Sequence, residues 1–130
     1  MSQKTMSLVG WVLSGLYILF TLGASVFPKL AGLDVADQTM VGLGWADSPV
    51  LLIGVIELIC VLLYAFPPTA VLGAVLSMAV LGGAMVTQIR AGTPMLSNQL
   101  FSVYLGLFLW GGLWLRSPRL RALFPVARGL

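Results

Sequence analysis

Residues 49–66 read PVLLIGVIELICVLLYAF. The eighteen residues hold a single charge, Glu57, in the middle of an otherwise apolar run. As a helix the stretch rises about 27 Å, close to the hydrocarbon thickness of a bilayer. A charged carboxylate at that depth costs roughly 2.5 kcal/mol or more when it has no partner. Glu57 is therefore neutral, paired, or turned into a polar pocket, and the rest of the chain must show which.

The surroundings of this stretch are those of an integral membrane protein. Of 130 residues, 59% are hydrophobic and 8% charged, against about 25% charged in soluble domains. Too little polar surface remains to coat a water-soluble globule. The length accommodates four helices of about 20 residues and their connections. The fold expected is all-α: one domain over 1–130, a four-transmembrane-helix bundle with spans near 6–27, 49–66, 70–89 and 99–115. A short amphipathic interfacial helix lies between spans one and two, and a surface tail covers 116–130.

Local signals place the ends. Thr5 or Ser7 is suited to cap the first span, and Pro28 to end it. Its 22 uncharged residues exceed the usual apolar core of a signal peptide, so a retained helix is expected. Residues 29–48 form a connection too long and too apolar for an idle loop. Leu33, Ala36, Met40 and Leu43 fall near one helical face, with Asp34, Asp37 and Gln38 largely off it, and Trp45 suits headgroup depth. This segment is either an interfacial anchor or a lid. Ser48 or Asp47 before Pro49 marks a helix start. Pro67-Pro68 turns the chain tightly, with Thr69 as the next cap, making spans two and three antiparallel neighbours. Gly15 and Gly23, and the stripe Ala79, Gly83 and Thr87, are expected to permit close helix packing. Ser97 or Asn98 is expected to cap span four, which Trp110 and Trp114 approach as an aromatic belt before Arg116.

Four spans put both termini on one side. That side carries Lys4, Arg116, Arg119, Arg121 and Arg128, and the other carries Lys29 and Arg90. The imbalance predicts cytoplasmic termini in a bacterial cytoplasmic membrane. The net charge of +3 is concentrated in the tail, which fits anionic headgroups better than nucleic acid.

Absences narrow the chemistry. The chain has no histidine and one cysteine, Cys60. Histidine-ligated haem, His-containing metal sites, Ser-His or Cys-His catalysis and CxxC redox pairs are excluded. No nucleophile–base pair is visible, so a stand-alone enzyme is not expected and no catalytic residue is assigned. Any redox role needs a bound cofactor or a partner protein.

Polar residues gather at the non-cytoplasmic ends of the spans: Lys29, the acidic loop, Gln88, Arg90, Asn98 and Gln99. Glu57 is the ninth residue of its span, about 12 Å in. Lys29 is its natural counter-charge, and its long stem can carry the ammonium inward. Gln88 and Gln99 can donate hydrogen bonds. A vestibule leading to Glu57 is expected, with Lys29, Glu57, Gln88, Gln99, Trp45 and Tyr104 as its ligand-binding residues. The alternative is a tie that only fixes helix register.

At these residues the chain resembles the DoxX-like family of small four-helix membrane proteins. The resemblance rests on LGASVFPKL with Gly23, Lys29 and Leu30, on Gly54, Glu57 and Leu58 in a G-x-x-E-L pattern after Trp45 and Pro49, and on the Gly/Ala-rich LGGAMVTQIR of span three. It covers nearly the whole chain. Family members often carry a histidine where Gln88 stands, so hydrogen bonding rather than proton exchange is expected at that position. The resemblance implies several roles: the small membrane subunit of a thiosulfate:quinone oxidoreductase, a component of other membrane redox complexes, or a receptor-assembly chaperone. Only Lys29, Glu57 and Gln88 carry over from it. Three functions follow as expectations. The first is an accessory subunit binding quinone, held non-covalently, or another amphipathic ligand for a membrane or peripheral redox partner, with homo-oligomerisation open. The second is an assembly protein with no chemistry of its own. The third is a small transporter, disfavoured because the cytoplasmic half lacks polar residues apart from Tyr64 and Ser77.

Overall fold

A computed structural model describes residues 2–127 and 129. Within them the protein is all-helical: α1 Gln3–Leu30, α2 Asp34–Gly42, α3 Val50–Ala65, α4 Ala70–Ala91, α5 Phe101–Arg116 and α6 Pro118–Leu123. The four long helices form a ring in which α1 packs on α5, α5 on α4, α4 on α3, and the end of α1 on α3. α1, and α4 with its preceding turn, are long and apolar enough to cross a membrane by length and composition. α3 is a shorter apolar helix of 16 residues. Arg128 and Leu130, part of the tail expected at the surface, lie outside the described residues.

The sequence reading ends α1 at Pro28, yet the helix runs through it to Leu30. Proline has no N–H, and its ring crowds the carbonyl four residues back. The chain absorbs both effects by widening: Thr21–Val26 is a π-helical stretch, and the Phe27 N–H donates to the Leu22 carbonyl five residues earlier. Termination comes at Gly32, whose φ of +69° suits a residue without a Cβ. Lys29 therefore projects from a helix and not from a loop.

Several expected caps are also replaced. Ser2 caps α1, accepting from the Thr5 N–H at 3.2 Å, so the helix starts a turn earlier than Met6. Neither Asp47 nor Ser48 caps α3. Thr69 donates backwards, to the carbonyls of Leu63 at 2.8 Å and Phe66 at 3.2 Å, closing the end of α3. Ser97 and Asn98 bond to each other at 2.8 Å inside a second π-helical stretch, Met95–Gln99, and α5 starts after it.

Close packing uses different glycines from those expected. Gly15, Gly23 and Gly83 have open space where a Cβ would stand. On Gly112 a Cβ would lie 2.8 Å from the Ser14 nitrogen and 2.9 Å from the Gly10 carbonyl. On Gly73 it would meet the Tyr64 Cα at 2.6 Å. These contacts draw the helices together at the end carrying the chain termini. There Tyr64, fully buried, donates to the Leu109 carbonyl at 2.6 Å and bonds Ser14 Oγ at 2.8 Å. Arg116 lies 3.8 Å over the Trp11 ring and donates to Ser14 Oγ at 3.2 Å. The tail is docked on this end: Arg121 donates to the Trp114 and Leu115 carbonyls, and Trp114 donates to the Phe124 carbonyl. At the opposite end the helices part and leave a central cavity.

Candidate functional site

Glu57 is 8% exposed and paired. Lys29 Nζ lies 2.8 Å from Glu57 Oε1, the one ion pair among the described residues. Ser25 donates to Glu57 Oε2. Lys29 also donates to Ser25 Oγ at 2.7 Å and to the Ser25 carbonyl at 3.2 Å. Ser25 and Lys29 stand four residues apart, one turn along the same face of α1. The three side chains close on one another, so the charge expected to be expensive is compensated inside the protein.

Gly54 makes this geometry possible. A Cβ there would fall 2.8 Å from Lys29 Cβ and 3.2 Å from Leu30 Cδ2. Its absence lets the end of α1 lie directly on α3. Glu57, three residues on, occupies the same face of α3 and meets the ammonium. The G-x-x-E spacing thus has a physical meaning: the glycine admits the helix and the glutamate holds its lysine.

Beside this triad is a cavity of about 580 Å³, within the range of sites for small organic ligands, roughly 300–1,000 Å³. Its long wall is a stripe on α4: Ser77, Leu81, Ala84 and Gln88. Eleven residues separate its ends, so the cavity is about 16 Å deep. The lining is chiefly apolar. Ile53, Ile56 and Val61 of α3 and Leu105 of α5 contribute to it. Over the mouth lies α2, which presents Ala36 and Met40 to the cavity, with Leu43 just after its end, and keeps Asp34, Asp37 and Gln38 exposed. Two buried polar atoms along the stripe have no hydrogen-bond partner among the described residues: Ser77 Oγ at the floor and Gln88 Oε1 at the mouth.

The pattern of a lysine ending the first long helix, a G-x-x-E on the next and a polar-ended stripe on the third can now be set beside known proteins. The model of the DoxX-like family matches residues 12–112. The chain belongs to the DoxX-like family. Neither the curated proteins nor the solved structures contain a significant match. In this DoxX-like protein the matched region includes every residue of the triad and the whole wall of the cavity.

Of the six residues expected at the site, Lys29, Glu57, Gln88 and Trp45 line this cavity. Gln99 and Tyr104 do not. Gln99 Nε2 donates to the Thr93 carbonyl at 2.7 Å, and Tyr104 donates to the Leu96 carbonyl at 2.7 Å. Both secure the α4–α5 connection, whose π-helical turn carries them away from the opening. Asn98 lines the cavity in their stead. Asp34, Asp37, Asp47 and Arg90, the loop charges expected at this face, are all exposed, and none of them lines the cavity.

The sequence reading missed Ser25, Thr21 and Tyr17 as lining residues and placed Ser77 in the opposite half. The i, i+4 relation of Ser25 to Lys29 was a usable signal for the first. For Ser77 the signal is the 11-residue step to Gln88, three full turns and hence one face. Cys60, 5% exposed, also borders the cavity.

Proposed function

We propose that this DoxX-like protein is a small accessory subunit that holds a quinone-like amphipathic ligand beside Glu57 for a redox partner, without being a stand-alone enzyme. In this reading all four long helices cross the cytoplasmic membrane of a bacterium, with both termini cytoplasmic. Large apolar side chains support the four crossings. Leu8, Leu19, Leu51, Ile59, Leu72, Val75, Leu107 and Phe108 are exposed around the ring and come from every long helix. A continuous apolar belt of this kind suits lipid and not water.

The observation that carries the ligand reading is the cavity itself. It is deep and apolar-walled, it has the Glu57–Lys29–Ser25 triad on one side, and two buried polar atoms along it lack partners. A quinone-like molecule asks for an apolar slot for ring and tail and a few polar contacts at fixed points. Glu57, Ser77 and Gln88 would supply the contacts, and Leu81, Ala84, Met40 and Leu43 the slot. The test is titration of the purified protein in mild detergent with a short-chain benzoquinone or its quinol. Saturable thermal stabilisation that disappears when Ala84, facing the slot, is replaced by tryptophan is expected. Identical melting curves at all ligand concentrations would sink the reading.

A second reading has its own observation. The triad is complete without a ligand, as a helix-fixing tie in an assembly protein would be. That reading predicts one stoichiometric membrane partner on native purification and no extractable small molecule.

A further inference from the structure

The hydrogen-bond accounting around Glu57 selects between chemical forms of the ligand, an inference that rests on the ligand reading above. A lysine ammonium has three N–H donors. Here they go to Glu57 Oε1, Ser25 Oγ and the Ser25 carbonyl. The one Ser25 O–H goes to Glu57 Oε2. The triad therefore has no donor left to offer a ligand. It does have acceptor capacity, because a carboxylate takes about four hydrogen bonds and only two are in place. Gln88 Oε1, buried on the same cavity, is a second acceptor without a donor, and its amide nitrogen can serve either form of the ligand.

The floor provides the complementary contact. Ser77 is 2% exposed, and its hydroxyl, which lies beside that of Tyr17, makes no hydrogen bond within 3.5 Å among the described residues. Helical hydroxyls usually bond the carbonyl four residues back, as Thr87 does to Gly83 at 2.8 Å and Thr39 to Val35 at 2.7 Å. Ser77 departs from that habit at a depth where an unmade bond is costly. Its level follows from the α3–α4 contact. Gly73 abuts Tyr64. Four residues back from Tyr64 is Cys60, and four on from Gly73 is Ser77, so these two lie level. Glu57 is three residues nearer the mouth, about 4.5 Å. Glu57 and Ser77 thus border the cavity at two levels that a six-membered ring bearing oxygens at opposite positions can address.

We propose that the cavity binds the hydroxylated form of its ligand, a quinol or alkylphenol, in preference to the quinone, with one ligand O–H donating to the Glu57 carboxylate and the second oxygen meeting Ser77 Oγ. A quinone carbonyl brings only lone pairs to Glu57 and faces another acceptor. The hydroxyl form brings the missing proton. The ligand's apolar tail follows Leu81 and Ala84 toward Met40 and Leu43.

The test compares three alkyl-substituted probes under anaerobic conditions: the benzoquinone, its hydroquinone and the hydroquinone dimethyl ether. Affinities are read from thermal stabilisation of the full-length protein in detergent. A hydrogen bond to a charged acceptor is worth enough to give the hydroquinone about tenfold or greater advantage over both other probes. Glu57→Gln brings the quinone and hydroquinone affinities to within about threefold, because the amide can also donate. Ser77→Ala removes a hydroxyl with no hydrogen-bond partner among the described residues, so its melting temperature stays at or rises above the wild-type value while hydroquinone affinity falls about threefold or more. Should the quinone or the ether bind wild type as tightly as the hydroquinone, the inference is overturned and the ligand reading stands. Should none of the three bind, both fall together.

Discussion

Replacing Lys29 with methionine keeps the length of the side chain and removes the ammonium. Glu57, 8% exposed, is then left with Ser25 as its only partner among the described residues. Removing one member of a buried ion pair costs about 3–5 kcal/mol. The two side chains here keep 14% and 10% of their accessible surface, so the lower end applies, about 3 kcal/mol. For a chain of this size that corresponds to a loss of about 10 °C in melting temperature. The double variant Lys29→Met/Glu57→Leu removes both charges and substitutes apolar groups of similar volume. Its cost is below about 1.5 kcal/mol, so it is more stable than the single variant. The assay is thermal melting in mild detergent followed by helical circular dichroism, with all variants at one protein concentration. Either of two results refutes the argument. One is a Lys29→Met variant within about 2 °C of wild type. The other is a double variant less stable than Lys29→Met, because the carboxylate would then not depend on the ammonium for its place in the bundle.

Other outcomes follow from the same contacts. Gly112→Ala forces a Cβ against the backbone of Ser14 and Gly10, parting α1 from α5, and is expected to lower stability by about 3 kcal/mol or abolish folding, while Gly15→Ala, facing open space, gains up to about 1 kcal/mol from helix propensity; a denaturant titration of the pair checks both signs. Tyr64→Phe removes the hydroxyl that bonds Ser14 and the Leu109 carbonyl and is expected to cost about 1–2 kcal/mol without changing ligand affinity; unchanged melting would contradict that role. Cys60, the chain's single cysteine, borders the cavity level with Ser77. A small methanethiosulfonate reagent is expected to label it slowly, and more slowly still with bound hydroquinone, as followed by intact-mass spectrometry; a rate indifferent to ligand would place the ligand elsewhere.

What the sequence determined by itself was the class of structure and the identity of the costly group. Apolar runs of membrane length, the Pro67-Pro68 turn and the amphipathic character of 34–43 depend on local composition and periodicity, and α1 to α5 follow them. The Lys29–Glu57 pairing was also legible, because a lone carboxylate in an apolar helix demands a counter-charge and few candidates exist. The resemblance carried by LGASVFPKL, G-x-x-E-L and LGGAMVTQIR is that of the family whose model matches the chain. Tertiary structure decided the rest. Whether Pro28 ends a helix or is absorbed by a widened turn depends on what the next residues gain by continuing, and here they gain the contact of Lys29 with Gly54 and Glu57. Which glycines mediate packing depends on helix rotation, which apolar composition on all sides leaves unspecified; hence Gly10, Gly54, Gly73 and Gly112 serve where Gly15 and Gly83 were expected. Gln99 and Tyr104 were assigned by nearness to the right end of the bundle, but the π-helical turn at Met95–Gln99 spends them on loop carbonyls. Ser77 shows the same limit in reverse. Its distance along the chain put it in the far half, and only the splaying of the helices opens a cavity deep enough to reach it.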